Sequence, residues 1–457
     1  MFKFLKPPAP IKRLPESEVD PVYKSMRLKV FLGVYIGYAA YYLVRKNLTL
    51  AMPFLEQDFG YTKSNLGIAL ACNGIGYGLS KFIMGGVSDR SDARKFLPLG
   101  LVLASAAIVL AGTNFGVSSV LMIGILQFLI GWFGGMGWPP CGRVMTHWFS
   151  VSERGTKMSI WNTAHNIGGM IIGPLTAMAT GYVAMLGITH PWKLGTFVIP
   201  ATVAMLIAFV AYWLIRDNPQ SCGLPPVEEY KNDYPINYSE NSEKILSTKE
   251  IFVKYVLRNK ILWIVALANA FVYLTRYGVL DWAPTYLKEV KGYDIKEVGW
   301  AYAAYEFAAI PGTIICGWIS DRIFKGKRAV TTIIFMLLVM VSVFIYWKNT
   351  DNMLVDIISL IAIGFLIYGP VMLIGVHALD LAPKNAAGAS AGFTGFFGYF
   401  IGTAILSNFL MGYIAEHFGW AAGFKLLIAG CVAACLLMAL TIPDENKKHR
   451  MKLDKDK

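Results

Sequence analysis

The sequence predicts an all-α integral membrane protein of twelve transmembrane helices, arranged as two pseudo-symmetric six-helix halves. Three observations lead to this fold class: the composition, the number of long apolar runs, and an internal repeat. The 457-residue chain is 55% hydrophobic and only 16% charged, and its mean hydropathy is +0.49. Such a chain has far more apolar sequence than a soluble core of this size requires.

Twelve runs are long and apolar enough to cross a bilayer. The sequence places them at residues 28–52, 64–88, 95–114, 119–147, 156–186, 192–215, 261–285, 297–322, 329–347, 354–382, 387–416 and 420–442. The predicted domains are an N-terminal segment (1–27), a first half (28–215), a polar linker (216–260), a second half (261–442) and a C-terminal tail (443–457). Within the linker, residues 246–257 mix apolar and charged side chains, which predicts a helix lying on the membrane surface.

The two halves repeat the same short pattern. In the first half, Tyr38, Tyr42 and Arg45 lie on one face of a helix. The second half repeats this spacing with Asn269, Tyr273 and Arg276, and residues 85–90 match 317–322 at almost the same offset. Halves related by an axis along the membrane normal bring equivalent residues to a central interface near the bilayer midplane. We therefore expect both arginines at that interface.

The distribution of charge predicts the topology. Lys and Arg outnumber Asp and Glu by 42 to 29, which gives a formal net charge of +13. Most of the cations fall in the termini, the linker and alternate loops, as the positive-inside rule requires if both termini and the linker are cytoplasmic. We therefore attribute the surplus to topology rather than to nucleic acid, with a minor contribution from anionic lipid of the bilayer.

Several functional classes are disfavoured by the sequence. The six cysteines show no paired spacing, which argues against disulfides and metal sites. The sequence contains neither a glycine-rich nucleotide-phosphate loop nor a metal-ligand spacing, and no nucleophile and base stand out. We expect neither an enzyme nor a pump driven by ATP, and we expect no cofactor.

Arg45 is the residue that most needs an explanation. It lies near the middle of the first predicted span, where an unpaired arginine costs at least about 3 kcal/mol. A guanidinium offers planar, bidentate donors that match the oxygens of a phosphate. Arg45 and Arg276 together predict an anion site. The alternative is a structural arginine paired with an internal carboxylate, either Asp281 or Glu306.

Further polar residues are predicted to line the same path. His165 lies near the middle of the fifth span, Asn162 and Asn166 extend its polar face, and a histidine changes charge near neutral pH. Taken alone, such a histidine is more often a packing residue. Phenol donors are offered by Tyr38, Tyr42, Tyr77, Tyr273 and Tyr368. Lys81 lies toward the cytoplasmic half of the second span, where it either draws anions inward or extends to the inner interface.

Several strings of residues resemble those of a known family. They are Tyr42-Leu43-Val44-Arg45-Lys46-Asn47, Gly137-Trp138-Pro139-Pro140-Cys141-Gly142-Arg143, Trp161-Asn162-Thr163-Ala164-His165-Asn166 and Tyr368-Gly369-Pro370. With two six-helix halves and paired Gly-x-x-x-Asp-Arg strings, the chain resembles the major facilitator superfamily and, within it, the bacterial organophosphate:phosphate antiporters. The resemblance runs from about Phe4 to the final span.

The resemblance implies a function and a set of roles. It implies the exchange of sn-glycerol 3-phosphate for inorganic phosphate by alternating access, in a bacterial inner membrane, by a monomer that also admits the phosphonate fosfomycin. It implies that Arg45, Arg276 and His165 bind substrate. It also implies that Lys46 pairs with Asp281, and His165 with Glu306, during transport. The cytoplasmic gate that it implies consists of Asp89, Arg90, Asp321 and Arg322.

Three alternatives remain open. Hexose phosphate antiporters of this family carry an acidic residue and a lysine in the eleventh span, where this chain has Ala391 and Thr394, so the smaller substrate is favoured. A membrane sensor of organophosphates is not excluded by the sequence. A membrane-embedded phosphatase is the least favoured, because no nucleophile and base stand out.

Overall fold

The computed structural model describes residues 3–88, 91–233, 253, 256–350, 352–381, 390 and 392–447. The chain divides into two units, one formed by Met1–Leu48 with Gly76–Lys244 and the other by Thr49–Ile75 with Ile245–Lys457. Within the described residues all regular structure is helical, which confirms the predicted all-α class. The predicted five-part division of the sequence stays a prediction.

The helices before the linker follow the predicted spans. They are α1 (Glu16–Leu43), α2 (Asn47–Phe59), α3 (Lys63–Ser88), α4 (Ala93–Ala111), α5 (Val120–Gly134), α6 (Trp138–Trp148), α7 (Val151–Asn162), α8 (Ala164–Met185) and α9 (Ile199–Leu214). A π-helical turn at Lys193–Val198 precedes α9. A 3₁₀ turn at Pro219–Cys222 and a short α10 (Val227–Lys231) open the linker. The surface helix predicted at 246–257 falls largely outside the described residues.

The helices after the linker repeat this arrangement. They are α11 (Lys260–Leu280), α12 (Ala283–Glu289), α13 (Ile295–Trp318), α14 (Arg328–Lys348), α15 (Met353–Asp380) and α16 (Met411–Ala439), with π-helical segments at Ile319–Ile323 and Phe397–Leu410. Gly419, at φ +79°, interrupts α16 between the predicted eleventh and twelfth spans. Helix is therefore present in the described part of each of the twelve predicted spans.

Eight helical segments of the described chain are long and apolar enough to cross a membrane. One of them, Gly392–Lys447, runs for 56 residues and takes in both the eleventh and the twelfth predicted spans. The helices over the first, second and eighth spans do not meet this criterion. The helices over the second and eighth spans carry Lys81 and Glu306, two of the predicted site residues, so the polar side chains that mark a site also lower the hydropathy of these helices.

The first span is broken immediately beside Arg45. Helix α1 ends at Leu43 and α2 begins at Asn47, although the sequence predicts one continuous run. The buried Asn47 amide bridges this break: its Nδ2 donates to the carbonyl oxygen of Leu43 at 3.0 Å and to that of Thr196 at 2.7 Å. The amide thus ties the broken span to the π-helical turn before α9, because a carbonyl freed by a helix break needs a donor.

The N-terminal segment is attached to distant parts of the first unit. The backbone N–H of Asp92 donates to the carbonyl of Leu5 at 2.8 Å. The N–H groups of Ile11 and Leu14 donate to the carbonyls of Gln220 and Gly223 at 3.1 and 2.9 Å. Arg13 adds an exposed ion pair with Glu229 at 2.7 Å. Residues 5–14 therefore connect the loop after α3 with the start of the linker.

Two helices of the second unit approach each other at glycines. A Cβ on Gly312 of α13 would lie 1.8 Å from the carbonyl oxygen of Phe365 in α15, and a Cβ on Gly364 would lie 2.2 Å from that of Tyr305. Only glycine permits this approach, as at the close helix contacts of other membrane proteins. By contrast, Gly375 of α15 has open space around the position of a Cβ.

These contacts predict different outcomes for two glycine substitutions. Gly312→Ala forces α13 and α15 apart and should cost about 1–3 kcal/mol of stability. Gly375→Ala is the matched control and should be neutral or slightly stabilising, because alanine favours a helix. Thermal unfolding of both variants in detergent checks this expectation; equal midpoints would show that the contact does not constrain the two helices.

Candidate functional site

Arg45 lies at the break between α1 and α2 and is surrounded by tyrosines of the first unit. Its Nη1 donates to the hydroxyl of Tyr42 at 3.0 Å. Its guanidinium carbon lies 4.0 Å from the ring centroid of Tyr77 and 5.2 Å from that of Tyr42. Ring faces attract a cation and stabilise it where water is scarce. The structure therefore brings together three of the residues that the sequence predicts.

Aromatic residues extend this cluster along the first unit. Tyr38, which is buried, packs against Tyr42 with ring centroids 5.8 Å apart and against Trp161 at 4.8 Å. The indole Nε1 of Trp161 donates to the carbonyl of Val34 at 3.3 Å, so the indole is fixed to α1. Trp161 thus orients Tyr38, a positioning role that sequence reasoning did not assign.

His165 joins the same cluster from the fifth span. Its ring lies 5.6 Å from that of Tyr42, and its Nδ1 is hydrogen-bonded to the carbonyl oxygen of Asn162. That carbonyl is available because α7 ends at Asn162 and α8 begins at Ala164. The hydrogen bond of Nδ1 to the backbone helps to fix the orientation of the imidazole beside Tyr42. The side chain of Asn162 is exposed and that of Asn166 is buried.

Lys81 lies exposed on α3, beside a different aromatic residue. Its Nζ is 5.6 Å from the ring centroid of Trp138 at the start of α6. The Trp138 ring in turn lies 6.4 Å from that of Trp161. Lys81 is thus linked to the Tyr38 cluster through two tryptophans.

Arg276 occupies a more enclosed setting in the second unit. It lies inside the unbroken helix α11, is only 6% exposed, and has three tyrosine rings around its guanidinium carbon. The centroids of Tyr368, Tyr277 and Tyr273 lie at 4.1, 4.8 and 5.8 Å. Its Nε is buried and has no hydrogen-bond partner among the described residues. A buried, unpartnered N–H of a cation is costly unless a ligand supplies the acceptor.

The tyrosines of this second cluster are themselves held in place. Tyr368 donates from its hydroxyl to Oε2 of the buried Glu306 at 2.8 Å, and Tyr305 donates to the carbonyl of Arg276 at 3.3 Å. Tyr399 lies 5.1 Å from Tyr273 and 6.3 Å from Tyr277, measured between ring centroids. Glu306 is thus connected to Arg276 through the Tyr368 ring.

Lys46 and Asp281 lie at helix breaks in different units. Lys46 is half-buried in the break after α1, and Asp281 is fully buried at the end of α11. The backbone N–H of Asp281 donates to the carbonyl of Tyr277 at 2.8 Å, which closes the last turn of that helix. Their predicted pairing stays a prediction.

The predicted gate is described only in part. Asp89 and Arg90 fall outside the described residues. Asp321 and Arg322 are exposed and lie in the π-helical segment after α13. Asp321 forms an ion pair with Arg328 at the start of α14, and Nε of Arg328 also lies 3.7 Å from Asp380 at the end of α15. Arg328 therefore joins three helix ends, a role the sequence did not indicate.

Two aromatic residues of the Arg276 cluster were missed by sequence reasoning. Tyr277 follows Arg276 directly, but the internal repeat aligns it with Lys46 and so gave no sign of a phenol there. Tyr399 lies in the eleventh span, where aromatic residues are common. Its contacts with Tyr273 depend on the close approach of two helices at Gly398 and Gly402, where added Cβ atoms would fall 2.7 and 2.4 Å from atoms of α11.

The sequence model of the Major Facilitator Superfamily matches residues 34–407, most of the chain. The chain belongs to this superfamily. The predicted fold class, twelve helices in two six-helix halves, is that of the superfamily and is confirmed. A solved structure of a bacterial homologue of the human lysosomal transporter Spinster has the same fold, with a TM-score of 0.69 and 14% identity over 94% of this chain and 98% of its own.

Curated relatives within the superfamily are much closer in sequence. A glycerol-3-phosphate transporter of Bacillus subtilis is 54% identical over 96% of this chain and 98% of its own length. A glycerol-3-phosphate transporter of Haemophilus influenzae is 49% identical over 99% and 98%. A probable hexose phosphate transport protein of Chlamydia trachomatis is 38% identical over 96% of each chain, and an Escherichia coli membrane sensor protein is 33% identical.

Removal of the hydrogen bond between Tyr368 and Glu306 is expected to lower the stability of the protein. Tyr368→Phe keeps the ring against Arg276 but deprives a buried carboxyl of a donor, which should cost about 1–3 kcal/mol. Tyr346→Phe is the matched control, because the buried hydroxyl of Tyr346 has no hydrogen-bond partner among the described residues. Thermal unfolding in detergent compares the two variants; a control that lost as much stability would contradict this assignment.

Proposed function

We propose that the chain is a secondary active antiporter that exchanges sn-glycerol 3-phosphate for inorganic phosphate by alternating access. The observation that carries this proposal is the pair of arginines in predicted membrane spans, each set against tyrosine rings. One of them, Arg276, has a buried N–H with no acceptor in the part of the chain that the structure describes. The near full-length similarity to two glycerol-3-phosphate transporters supports it.

The chemistry of the two clusters suits a phosphate dianion. A guanidinium binds phosphate oxygens in a bidentate manner and keeps its charge at every physiological pH. Tyrosine hydroxyls add neutral donors, and their rings offer an apolar surface to the glycerol carbons. The proposed substrate-binding residues are Arg45, Arg276, His165, Tyr38, Tyr42, Tyr273, Lys81, Asn162, Asn166, Tyr77 and Tyr368.

Internal carboxylates compensate the site when no anion is bound. We propose that Lys46 exchanges partners with Asp281, and His165 with Glu306, as substrate enters and leaves. The 2.8 Å hydrogen bond from Tyr368 supports a role for Glu306, because it connects the carboxyl to a tyrosine that also packs on Arg276. When the substrate arrives, its phosphate competes with these carboxylates for the cationic side chains, and the internal ion pairs weaken.

The proposed exchange follows from competition for one site. Both substrates carry a phosphate group, and each stabilises an occluded state that the empty carrier reaches rarely. A ligand shifts such an equilibrium only by its differential affinity for the two states. Exchange is obligatory if the empty carrier crosses too slowly to matter, and the outward gradient of phosphate then drives uptake.

The remaining assignments concern location and gating. We propose a bacterial inner membrane with both termini in the cytoplasm, a monomer, and a cytoplasmic gate formed by Asp89, Arg90, Asp321 and Arg322. The ion pair of Asp321 with Arg328 supports this gate, because it fastens the segment after α13 to the start of α14. Transport without a chemical step makes the protein a carrier rather than an enzyme.

The eleventh span favours the smaller organophosphate. Thr394 is buried there, and its hydroxyl donates to the carbonyl of Ser390 at 3.3 Å. In the sequence, Ala391 and Thr394 stand where the resemblance associates an acidic residue and a lysine with hexose phosphates, and neither is charged. The sensor alternative differs from transport in one observable, since a sensor binds organophosphate without moving it across the membrane.

Exchange in proteoliposomes tests the proposal directly. Vesicles preloaded with phosphate should take up labelled glycerol 3-phosphate rapidly, whereas Arg45→Lys and Arg276→Lys should each reduce the initial rate by at least about 100-fold, because a lysine cannot provide the bidentate geometry. Arg13→Lys is the matched control, since the ion pair that Arg13 forms with Glu229 is exposed.

The outcomes separate the candidate functions. Uptake of glucose 6-phosphate in preference to glycerol 3-phosphate would replace the proposed substrate. Binding without uptake would favour the sensor, and release of free glycerol would favour a phosphatase. Uptake that is indifferent to both arginine substitutions would remove the proposed anion site.

Fosfomycin provides a test in cells. A phosphonate that mimics the substrate should enter through the carrier, so expression in a host that lacks its own organophosphate carriers should increase fosfomycin sensitivity. Arg276→Lys should abolish the increase, which is read as the minimal inhibitory concentration. Unchanged sensitivity with the wild-type chain would contradict entry by this route.

A further inference from the structure

Residues 49–75 belong to the second unit through their contacts, yet the chain at both of their ends continues into the first. Glycines provide close contacts for this segment. Cβ atoms added to Gly67 and Gly74 would lie 2.4 Å from the carbonyl oxygen of Asn408 and 3.1 Å from the Cβ of Ala404. A Cβ on Gly412 would lie 2.7 Å from the carbonyl oxygen of Lys63. The start of α3 is thus packed directly on the eleventh span.

A set of polar contacts, which we call the clasp, fastens the tip of this segment. The clasp consists of Glu56, Gln57, Lys63 and Ser64 on one side and Lys288, Glu289, Glu416 and Trp420 on the other. Lys63 forms an ion pair with Glu289 at 3.0 Å. The backbone N–H of Ser64 donates to Oε2 of Glu416 at 2.6 Å.

Aromatic rings support the ion pair and a second lysine. The Nζ of Lys63 lies 5.8 Å from the ring centroid of Trp420, whose Nε1 donates to Glu289 at 3.1 Å. The Nζ of Lys288 lies 3.8 Å from the ring centroid of Phe54 and donates to the side-chain oxygen of Gln57 at 3.3 Å. The ends of four helices, α2, α3, α12 and α16, therefore meet in one charged network.

Glu56 is the unusual member of this network. Its Oε1 is buried without a hydrogen-bond partner among the described residues. The charged groups that act on it are Lys63 and Lys288, which favour the carboxylate, and Glu289 and Glu416, which disfavour it. His417 adjoins Glu416, and Asp58 acts on Lys288. Burial is the largest influence and raises the pKa of Glu56 to about 7.

We propose that the clasp is a proton-operated latch, which holds residues 49–75 on the second unit and releases them when Glu56 loses its proton. The charge pattern assigns this end of the helices to the outer side of the membrane, where the latch must open for the carrier to admit substrate. The proposal rests on the proposed transport function only where it says that opening the latch admits substrate. The response of the clasp to protons does not depend on which substrate is carried.

The direction of the effect follows from linkage. A neutral carboxyl is buried at a much lower cost than a carboxylate, and a carboxylate beside Glu289 and Glu416 is also repelled, so it favours a solvated position. The raised pKa belongs to the closed clasp, and a solvated glutamate returns to about 4.3. The closed state is therefore stabilised below pH 7 and loses that stabilisation as the pH rises through 7.

Spin-label distances test this proposal without any substrate. Labels on Tyr61→Cys and Phe418→Cys lie on the two sides of the clasp and replace none of its charged groups. Both spin labels are attached at the same pH, and the reconstituted protein is then transferred to pH 6 or pH 8. The ratio of the close to the separated population should be about tenfold larger at pH 6, as a pKa of 7 closed and 4.3 open requires.

Three variants make the result decisive. Glu56→Gln should abolish the dependence on pH, and Lys63→Gln should increase the separated population at both pH values. Glu18→Gln, which removes the charge of an exposed carboxylate of α1 outside the clasp, should behave like the parent. The proposal is overturned if the labels stay close at both pH values, or if Glu56→Gln keeps the full dependence on pH.

Because this measurement uses no organophosphate, its failure leaves the proposed exchange untouched, and a failure of exchange leaves the latch intact.

Discussion

A guanidinium in a membrane-spanning segment has to be stabilised by groups that replace water, and this requirement applies in both halves of the molecule. The structure meets it with aromatic rings. Arg276 has three tyrosine rings around it, and Arg45 has two rings and a tyrosine hydroxyl. A ring stabilises a cation without accepting its hydrogen bonds. The buried Nε–H of Arg276, which has no acceptor among the described residues, therefore stays available for a ligand to an extent that a paired carboxylate would not allow.

The two halves meet this requirement in unequal ways, although the sequence repeats itself. Arg45 lies at a helix break and is half-buried, whereas Arg276 lies within a continuous helix and is almost fully buried. The residue after each arginine also differs, since Lys46 is a cation and Tyr277 is a phenol. We infer that both repeats kept the arginine after the duplication, whereas the residues around each arginine diverged.

Sequence reasoning identified the fold and most residues near the arginines, because these depend on local patterns. Helix length, apolar composition and the repeated spacing of Tyr42 and Arg45 are all properties of short stretches. The break at residues 44–46 was not predictable, since it depends on the Asn47 amide finding the carbonyl of Thr196 about 150 positions away. Tyr399 and Arg328 were missed for the same reason, because their roles arise from packing between helices distant in sequence.

The attachment of the N-terminal segment has a consequence for the order of folding. Residues 5–14 bond to the loop near Asp92 and to Gln220 and Gly223, so their last partners are translated about 200 residues after them. At roughly 5–20 residues per second, this delay is about 10–40 s. During that interval the segment has only part of its binding surface. The segment therefore completes its docking only after the first six-helix half has been inserted and assembled.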